Sequence, residues 1–349
     1  MNRGFRWVTA SLVVPFLCLV WTAGASSTSL RIYFVDVEGG QATLFVTPTG
    51  QSLLVDTGWP GFNGRDADRI VAAAKDAGLS KIDYVLITHF HMDHVGGLPQ
   101  LAERFPIGKF IDHGENREST DQPTMQVWQA YQKLLQSGKY KHIIAKPGDK
   151  LPLTGMDDVV VSADGNVIPK PLPAAGGENP ACRGAEQAPA DTTENARSLG
   201  FLATFGKLRI LDLGDLTKDK EWDLMCPVSK IGKVDIYIVS HHGWQQSGSA
   251  QLVDGISPRV AIMDNGAKKG GSPGPWEIIE KSPRLENLWQ LHYSEEGGST
   301  HNVPAEFIAN PQGPDPGHYF RLTAHKDGTF EVFNSRTKQT KKYSAEAQK

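Results

Sequence analysis

Cysteine is scarce in this chain: three residues in 349, one of them, Cys18, inside an apolar N-terminal run. That scarcity excludes a small scaffold stapled by many disulfides. The chain also lacks an excess of positive charge, with 36 Lys and Arg against 39 Asp and Glu. It therefore has no basic footprint of the kind that marks a nucleic-acid-binding surface. There is no internal repeat at solenoid spacing, and only one long hydrophobic run. Glycine (36) and proline (22) are plentiful instead, which predicts turns and long loops rather than a helical bundle. The length suffices for one large domain or two small ones with a substantial core.

The hydrophobic run lies at the N-terminus. Arg3 and Arg6 precede the apolar stretch 7–23, and Ala23-Gly24-Ala25 supplies small residues at the spacing a signal peptidase reads. This predicts a signal peptide over 1–25, cleaved after Ala25, and a secreted or periplasmic mature protein with no membrane segment. The competing reading is an uncleaved anchor, but the run is short for a bilayer span and Pro15 interrupts it. The residues before Cys18 lack the small side chain expected ahead of a lipidated cysteine. Cleavage leaves 34 basic against 39 acidic residues, a net charge of −5. It also leaves Cys182 and Cys226, which an oxidising compartment is expected to join; two free thiols are the alternative.

From residue 29 onward the pattern alternates between strands and helices. Strands are expected at 30–37, 42–47, 52–55 and 82–88, the last mostly apolar, as in a strand buried on both faces. Apolar residues at helical spacing predict helices over 66–77, 98–105 and 122–137. Further strands are expected at 109–112, 159–163, 200–205, 208–213, 234–240, 260–263 and 330–333. The Pro- and Gly-rich stretch 164–197 reads as a long loop, and the polar tail from about 337 as frayed. One domain over 26–349 is expected.

The strongest chemical signal is Thr88-His89-Phe90-His91-Met92-Asp93-His94-Val95-Gly96-Gly97. Three imidazoles and a carboxylate within six residues suit a borderline-soft divalent cation such as zinc, with manganese or iron as alternatives. The apolar strand 82–88 delivers them onto a loop, and Gly96-Gly97 is read as a tight turn into the next helix. His89 and His91 alternate, so in an extended segment they point to the same side and chelate one ion. Asp93 and His94 serve a second. Six residues cannot close two sites, and the missing ligands are sought at other strand tips. The strand 208–213 ends in Gly214-Asp215, where a carboxylate could bridge two cations. The strand 234–240 ends in His241-His242-Gly243. The bland alternatives are an Asp capping a turn and a solvent-facing His pair.

These motifs together resemble the metallo-β-lactamase superfamily, whose signature is HxHxDH. The opening FVDVEGGQATLFVTPTGQSLLVDTG resembles the extracellular domain of competence (ComEC-type) DNA-uptake proteins and their free-standing relatives. So do ENARSLGFLATFGKLRILDLGDL and VSHHGW. The resemblance covers most of residues 30–270 and implies an α/β (α+β) fold, a four-layer αββα sandwich with metals at one edge of two sheets. It implies a secreted dinuclear hydrolase using a metal-bound hydroxide. His89 and His91 would hold one ion, Asp93, His94 and His242 the other, and Asp215 would bridge; Asp93 and His242 would also take part in catalysis. His241 is the alternative to His242, and alignment on Gly243 favours His242. Asp56 matches an acidic motif that supports the metal ligands or the fold, and Asn195 and Ser198 match a subgroup motif near the site. The first ion lacks a third histidine; His113, at a strand tip, is the candidate, in competition with Asn195 and Ser198. Trp244 stands where a small residue is usual, and Gln41 where Asp often occurs. Asn265 and Lys268, in Asn265-Gly266-Ala267-Lys268-Lys269, could meet an anionic substrate, or form an ordinary basic turn. His292 and His301 flank a Gly/Ser-rich stretch and are read as ordinary surface or core residues. The expected substrate is a small molecule or phosphoester, phosphodiesters foremost, with β-lactams, lactones and thioesters open. A non-catalytic metal- or partner-binding module is the other reading.

Overall fold

The computed structural model describes residues 1, 2, 4 and 28–346, so the apolar stretch and cleavage site of the expected signal peptide lie outside the described residues. Short apolar stretches separated by glycine turns build the first sheet: β1 (Leu30–Phe34), β2 (Thr43–Val46), β3 (Ser52–Val55), β4 (Ile82–Leu86), β5 (Ile107–Asp112) and β6 (Lys141–Ile144). The chain then crosses to a second sheet: β7 (Asp157–Ala163), β8 (Asn166–Val167), β9 (Gly200–Phe205), β10 (Leu208–Asp212), β11 (Ile236–Ile238), β12 (Val260–Met263), β13 (Asn287–His292) and β14 (Ile308–Asn310). It returns to the first sheet with β15 (Phe320–Ala324), β16 (Phe330–Asn334) and β17 (Gln339–Tyr343). The orders are β17-β16-β15-β1-β2-β3-β4-β5-β6 and β14-β13-β12-β11-β10-β9-β7-β8. Strands β3 to β6 are mutually parallel, as are β10 to β14. Parallel neighbours require crossover connections, and helices supply most of them.

Those helices are α1 (Arg65–Asp76), α2 (Met92–Val95), α3 (Leu98–Arg104) and α4 (Gln122–Gln136) in the first half, then α5 (Lys218–Met225), α6 (Ala250–Ile256) and α7 (Pro273–Glu280). Alternation along each strand divides the apolar residues into layers. Ile32, Phe34, Phe45, Leu53 and Val55 face Phe201, Ile210, Ile236 and Ile262 between the sheets, with the Phe45 and Phe201 rings edge-on at 5.7 Å. Tyr33, Leu44, Leu54 and Val85 point the other way, onto Ile70, Leu101 and Tyr131 of α1, α3 and α4. Leu211, Tyr237 and Ala261 meet Leu224, Val253 and Ile279 of α5, α6 and α7. The result is the αββα sandwich expected of the sequence. A strand that is mostly apolar in sequence, such as β4 with Asp83 as its one charged residue, has a core on each face, which is why little alternation is visible in it.

One expectation is corrected. The polar tail from 337 is not frayed: β17 pairs along β16. Tyr343 stacks on Phe330 at 4.6 Å and accepts a hydrogen bond from Trp289 Nε1 at 2.9 Å. One buried aromatic anchors a strand whose other four side chains are exposed, so composition alone read it as loose. Gly96 and Gly97 form the expected tight turn between α2 and α3, with φ of −64° and −76°. Their service is close approach, since a Cβ on Gly97 would lie 2.1 Å from the Thr57 carbonyl oxygen. The long loop 164–197 is held by a disulfide between Cys182 and Cys226, Cα atoms 5.7 Å apart.

Candidate metal centre

The C-terminal ends of β3, β4, β10, β11 and β12 open on one edge of the sandwich, and each delivers polar side chains there. The 89–94 segment leaves β4 and enters α2. Gly40 lets the β1–β2 loop lie against it: Gln41 N donates to Asp93 O at 3.2 Å, and a Cβ on Gly40 would sit 2.3 Å from that oxygen. His241 and His242 leave β11 with left-handed φ of 54° and 55°. L-residues with side chains this bulky adopt that conformation only where the surroundings impose it. Here it turns both rings inward.

Asp215, after β10, lies at the centre. Its Oδ2 is 3.2 Å from His94 Nε2, 3.4 Å from His241 Nε2 and 3.9 Å from His89 Nε2. Its Oδ1 is 3.4 Å from His242 Nε2. Asp93 Oδ2 is 3.2 Å from both His94 Nε2 and His242 Nε2. Asp93, His94, Asp215 and His242 each offer a ligand atom within 4.8 Å of the others. On the far side, His91 Nδ1 stands 3.0 Å from His89 Nε2.

The other nitrogen of four of these rings is tied down. His94 Nδ1 donates to Asp56 Oδ2 at 2.7 Å. Thr88 Oγ1 donates to the same carboxylate at 2.7 Å, so its oxygen is free to accept from His89 Nδ1 at 3.0 Å. His241 Nδ1 faces Ser247 Oγ at 3.2 Å, and His242 Nδ1 faces Asp264 Oδ1 at 3.3 Å. With each Nδ1 engaged, Nε2 is the nitrogen turned toward Asp215, and it offers its lone pair to a metal once any proton it holds is displaced, the arrangement that orients imidazole for a metal. Two further observations fit a cation. Asp215 Oδ1 is buried with no hydrogen-bond partner, and His94 Nε2 meets His242 Nε2 nitrogen to nitrogen at 3.3 Å. A set of nitrogen and carboxylate donors, without thiolate, suits zinc, manganese or iron.

The electrostatics follow from burial and mutual charge. Burial opposes charge on every group here. Asp215 is nevertheless held well below the usual carboxylate range by His241, His94 and His242, and Asp93 by Lys269 and His94. His242 is pushed up to about 10 because Asp215 outweighs desolvation. His241 is lowered to about 4 by burial, which Asp215 only partly offsets. Desolvation and neighbouring His94 and His91 depress His89.

Other expected site residues divide into near and far. Asp56 holds His94 and Thr88, as a supporting acid should. Ser198 Oγ accepts from Asp215 N at 3.2 Å and lies 3.5 Å from His89 Nδ1. Asn195 makes no such contact, and its buried Oδ1 has no hydrogen-bond partner. His113 lies outside the converging group, its Nε2 on Glu194 Oε2 at 3.0 Å and its ring against Phe90. Asn265 braces a loop through His292 O at 2.9 Å. Lys268 is exposed, and its neighbour Lys269 is the lysine that reaches the site, on Asp93 Oδ2. His292 bonds Asp36 at 2.7 Å and His301 bonds Glu277 at 3.0 Å, both away from Asp215. Gln41 donates to Asp212 Oδ2 at 2.7 Å.

Asp264, Lys269, Glu118 and Glu194 are site residues that the sequence does not single out. Asp264 ends an apolar strand as Asp215 does, so the same signal is present. Glu118 Oε2 holds His91 Nε2 at 2.9 Å and accepts from Glu194 N; nothing local marks either, because only tertiary contact brings them to the histidines.

Residues 35–177 match the family model described as Metallo-beta-lactamase superfamily. The chain is 33% identical over 105 residues to a hydroxyacylglutathione hydrolase of Stenotrophomonas maltophilia, covering 30% of this chain and 37% of that protein. It is 24% identical over 300 residues to Recombination protein 2 of Haemophilus influenzae, covering 83% of this chain and 30% of the relative. It is 23% identical over 193 residues to ComE operon protein 3 of Bacillus subtilis, covering 54% and 20%. The chain thus spans between 20% and 37% of the length of these curated relatives. The match to the metallo-β-lactamase superfamily model thus lies in the first half of the chain, over the segment that carries the 89–94 cluster.

Proposed function

We propose that this chain is a secreted hydrolase of phosphoester-type substrates, phosphodiesters foremost, that works with two divalent cations, zinc in the first instance. The observation that carries the reading is the set of four imidazoles whose Nδ1 atoms are anchored and whose Nε2 atoms converge on Asp215. In this reading His89, His91 and His241 would hold one ion, Asp93, His94 and His242 the other, and Asp215 would bridge. His241 takes the place considered for His113, and both histidines of the pair serve.

When bound, two divalent cations acidify water and polarise a substrate oxygen, so no Ser or Cys nucleophile is needed. The protein's own residues do the rest. Asp93 Oδ2 is placed to accept a hydrogen bond from the attacking water and orient it. Asp56, through His94 and through Thr88 to His89, keeps both Nε2 lone pairs directed inward. Lys269 supplies positive charge beside Asp93, which favours an anionic substrate despite the acidic net charge. Secretion is supported by the Cys182–Cys226 disulfide, a bond that persists in oxidising compartments.

The test is metal analysis of mildly purified protein, followed by screening of bis-p-nitrophenyl phosphate, a phosphomonoester, a β-lactam and a lactone with metal restored. About two equivalents of metal and preference for the diester are expected. Less than one equivalent sinks the dinuclear site; preference for the lactam or lactone sinks the substrate class.

A further inference from the structure

We propose that the cleft lined by Glu38, Trp59, Phe62 and Arg65 binds a flat aromatic substituent of the substrate, and that Lys269 stands between this group and the reacting centre. The proposal rests on the phosphoester reading and names which part of such a substrate the protein selects.

The cleft has a volume of about 350 Å³, within the range of small-molecule sites. Its connection to the centre is one side chain long. Lys269 Nζ contacts Asp93 Oδ2 and lies over two indoles, 5.1 Å from the Trp59 centroid and 5.6 Å from that of Trp244. Trp59 therefore lines the cleft and also packs under the lysine that reaches Asp93. A phosphate drawn to Lys269 would place an attached ring against Trp59.

Phe62 gives the cleft its chemistry. It is 62% exposed, a large apolar side chain that folding leaves in water. Its backbone is also unfavourable: Gly61, Phe62, Asn63 and Gly64 run consecutively through left-handed φ of 82°, 46°, 54° and 81°. Phe62 and Asn63 gain no burial in return, as both are exposed. A disfavoured conformation that presents an aromatic ring to solvent beside a reactive centre is explained by what the ring binds. The loop is held in this form. Arg65 lies over the Phe62 ring at 4.6 Å and is tethered to Asp66 Oδ1 at 2.6 Å. Trp59 N donates to Asp66 Oδ2 at 2.9 Å. The walls thus offer aromatic faces, while Glu38 and Arg65 supply an acceptor and a donor. That combination fits a planar aromatic group with polar edges better than an alkyl chain.

The test is calorimetric titration of the metal-loaded protein with phenyl phosphate and with methyl phosphate. Phenyl phosphate is expected to bind at least about tenfold more tightly, the effect of one stacking contact. In Phe62→Ala the ratio should fall to about one, while Phe62→Tyr should restore it. Lys269→Met should weaken both ligands. Equal affinities in the wild type, no binding of either ligand, or a ratio unchanged in Phe62→Ala would overturn the proposal. Because binding is measured rather than turnover, a protein that fails to hydrolyse any diester refutes the hydrolase reading and leaves this result intact. Loss of the phenyl preference likewise leaves a measured diesterase activity standing.

Discussion

Asp56→Asn alters one atom type at a buried position and should disable two of the proposed metal ligands at once. Asp56 is fully enclosed. It accepts from Thr88 N at 2.8 Å, Thr88 Oγ1 at 2.7 Å and His94 Nδ1 at 2.7 Å. In the variant, the side-chain carbonyl oxygen can still accept from Thr88 N. The amide NH2 then occupies the place of Oδ2 and donates where the carboxylate accepted. His94 Nδ1 becomes an acceptor, its proton moves to Nε2, and the lone pair facing Asp93 and Asp215 is lost. Thr88 Oγ1, now an acceptor of that amide, no longer takes its proton toward residue 56, and its hold on His89 Nδ1 weakens. Loss of such a supporting contact typically lowers metal affinity by about 10- to 100-fold, or roughly 1.4–2.8 kcal/mol. Unfolding of the metal-free protein should be easier by about 1–3 kcal/mol, because one charge-assisted bond is replaced and a buried donor is left poorly matched. Competition with a chromophoric chelator reads the affinity, and urea unfolding in EDTA reads the stability. Zinc affinity within about threefold of wild type would refute the tautomer argument.

Asp215→Ala should reduce turnover more than about tenfold while the chain still folds, since the carboxylate proposed to bridge is lost but the apolar layers are untouched; activity above a tenth of wild type, with an unchanged circular dichroism spectrum, counts against bridging. Asp158 is raised to about 6, chiefly by burial. A carboxyl raised on folding binds its proton more tightly in the native state, so stability falls as pH rises from about 4 through about 6. Asp158→Asn keeps the acceptor for Leu151 N at 2.5 Å; it should leave stability at pH 4 unchanged and raise it at pH 8 by about 1–3 kcal/mol in urea titrations. Identical pH profiles for the two proteins would contradict this. The Cys182–Cys226 bond closes a 44-residue separation, for which the chain-entropy relation gives about 4 kcal/mol. Cys182→Ser with Cys226→Ser should show a loss of that order in denaturant midpoints, and dithiothreitol should reproduce it on wild type; a loss below about 1 kcal/mol would argue against an entropic role.

Local composition was enough to single out 89–94 as a candidate metal-binding segment, because residues spaced by one or two positions are brought together by the backbone alone. It also located Asp215 and His241–His242, because an apolar strand ending in a ligand is a local pattern. Buried strands such as 52–55, 200–205 and 260–263 were legible to the residue for the same reason. Three kinds of feature were not. The strand over Gln339–Tyr343 depends on one distant aromatic pair, Tyr343 on Phe330, and its own composition is polar. The service of Gly97 is visible only against Thr57 O, a residue brought close by the fold. The orientation of the imidazoles depends on Asp56, Asp264 and Ser247, contributed by separate segments of the chain. Sequence alone determined which residue types form the centre and which strands carry them, because those are short-range facts of patterning. Tertiary structure decided the direction of each lone pair, placed His241 rather than His113 beside Asp215, and chose Lys269 over Lys268. Hydrogen-bond direction and the side a loop presents arise only when distant backbones pack.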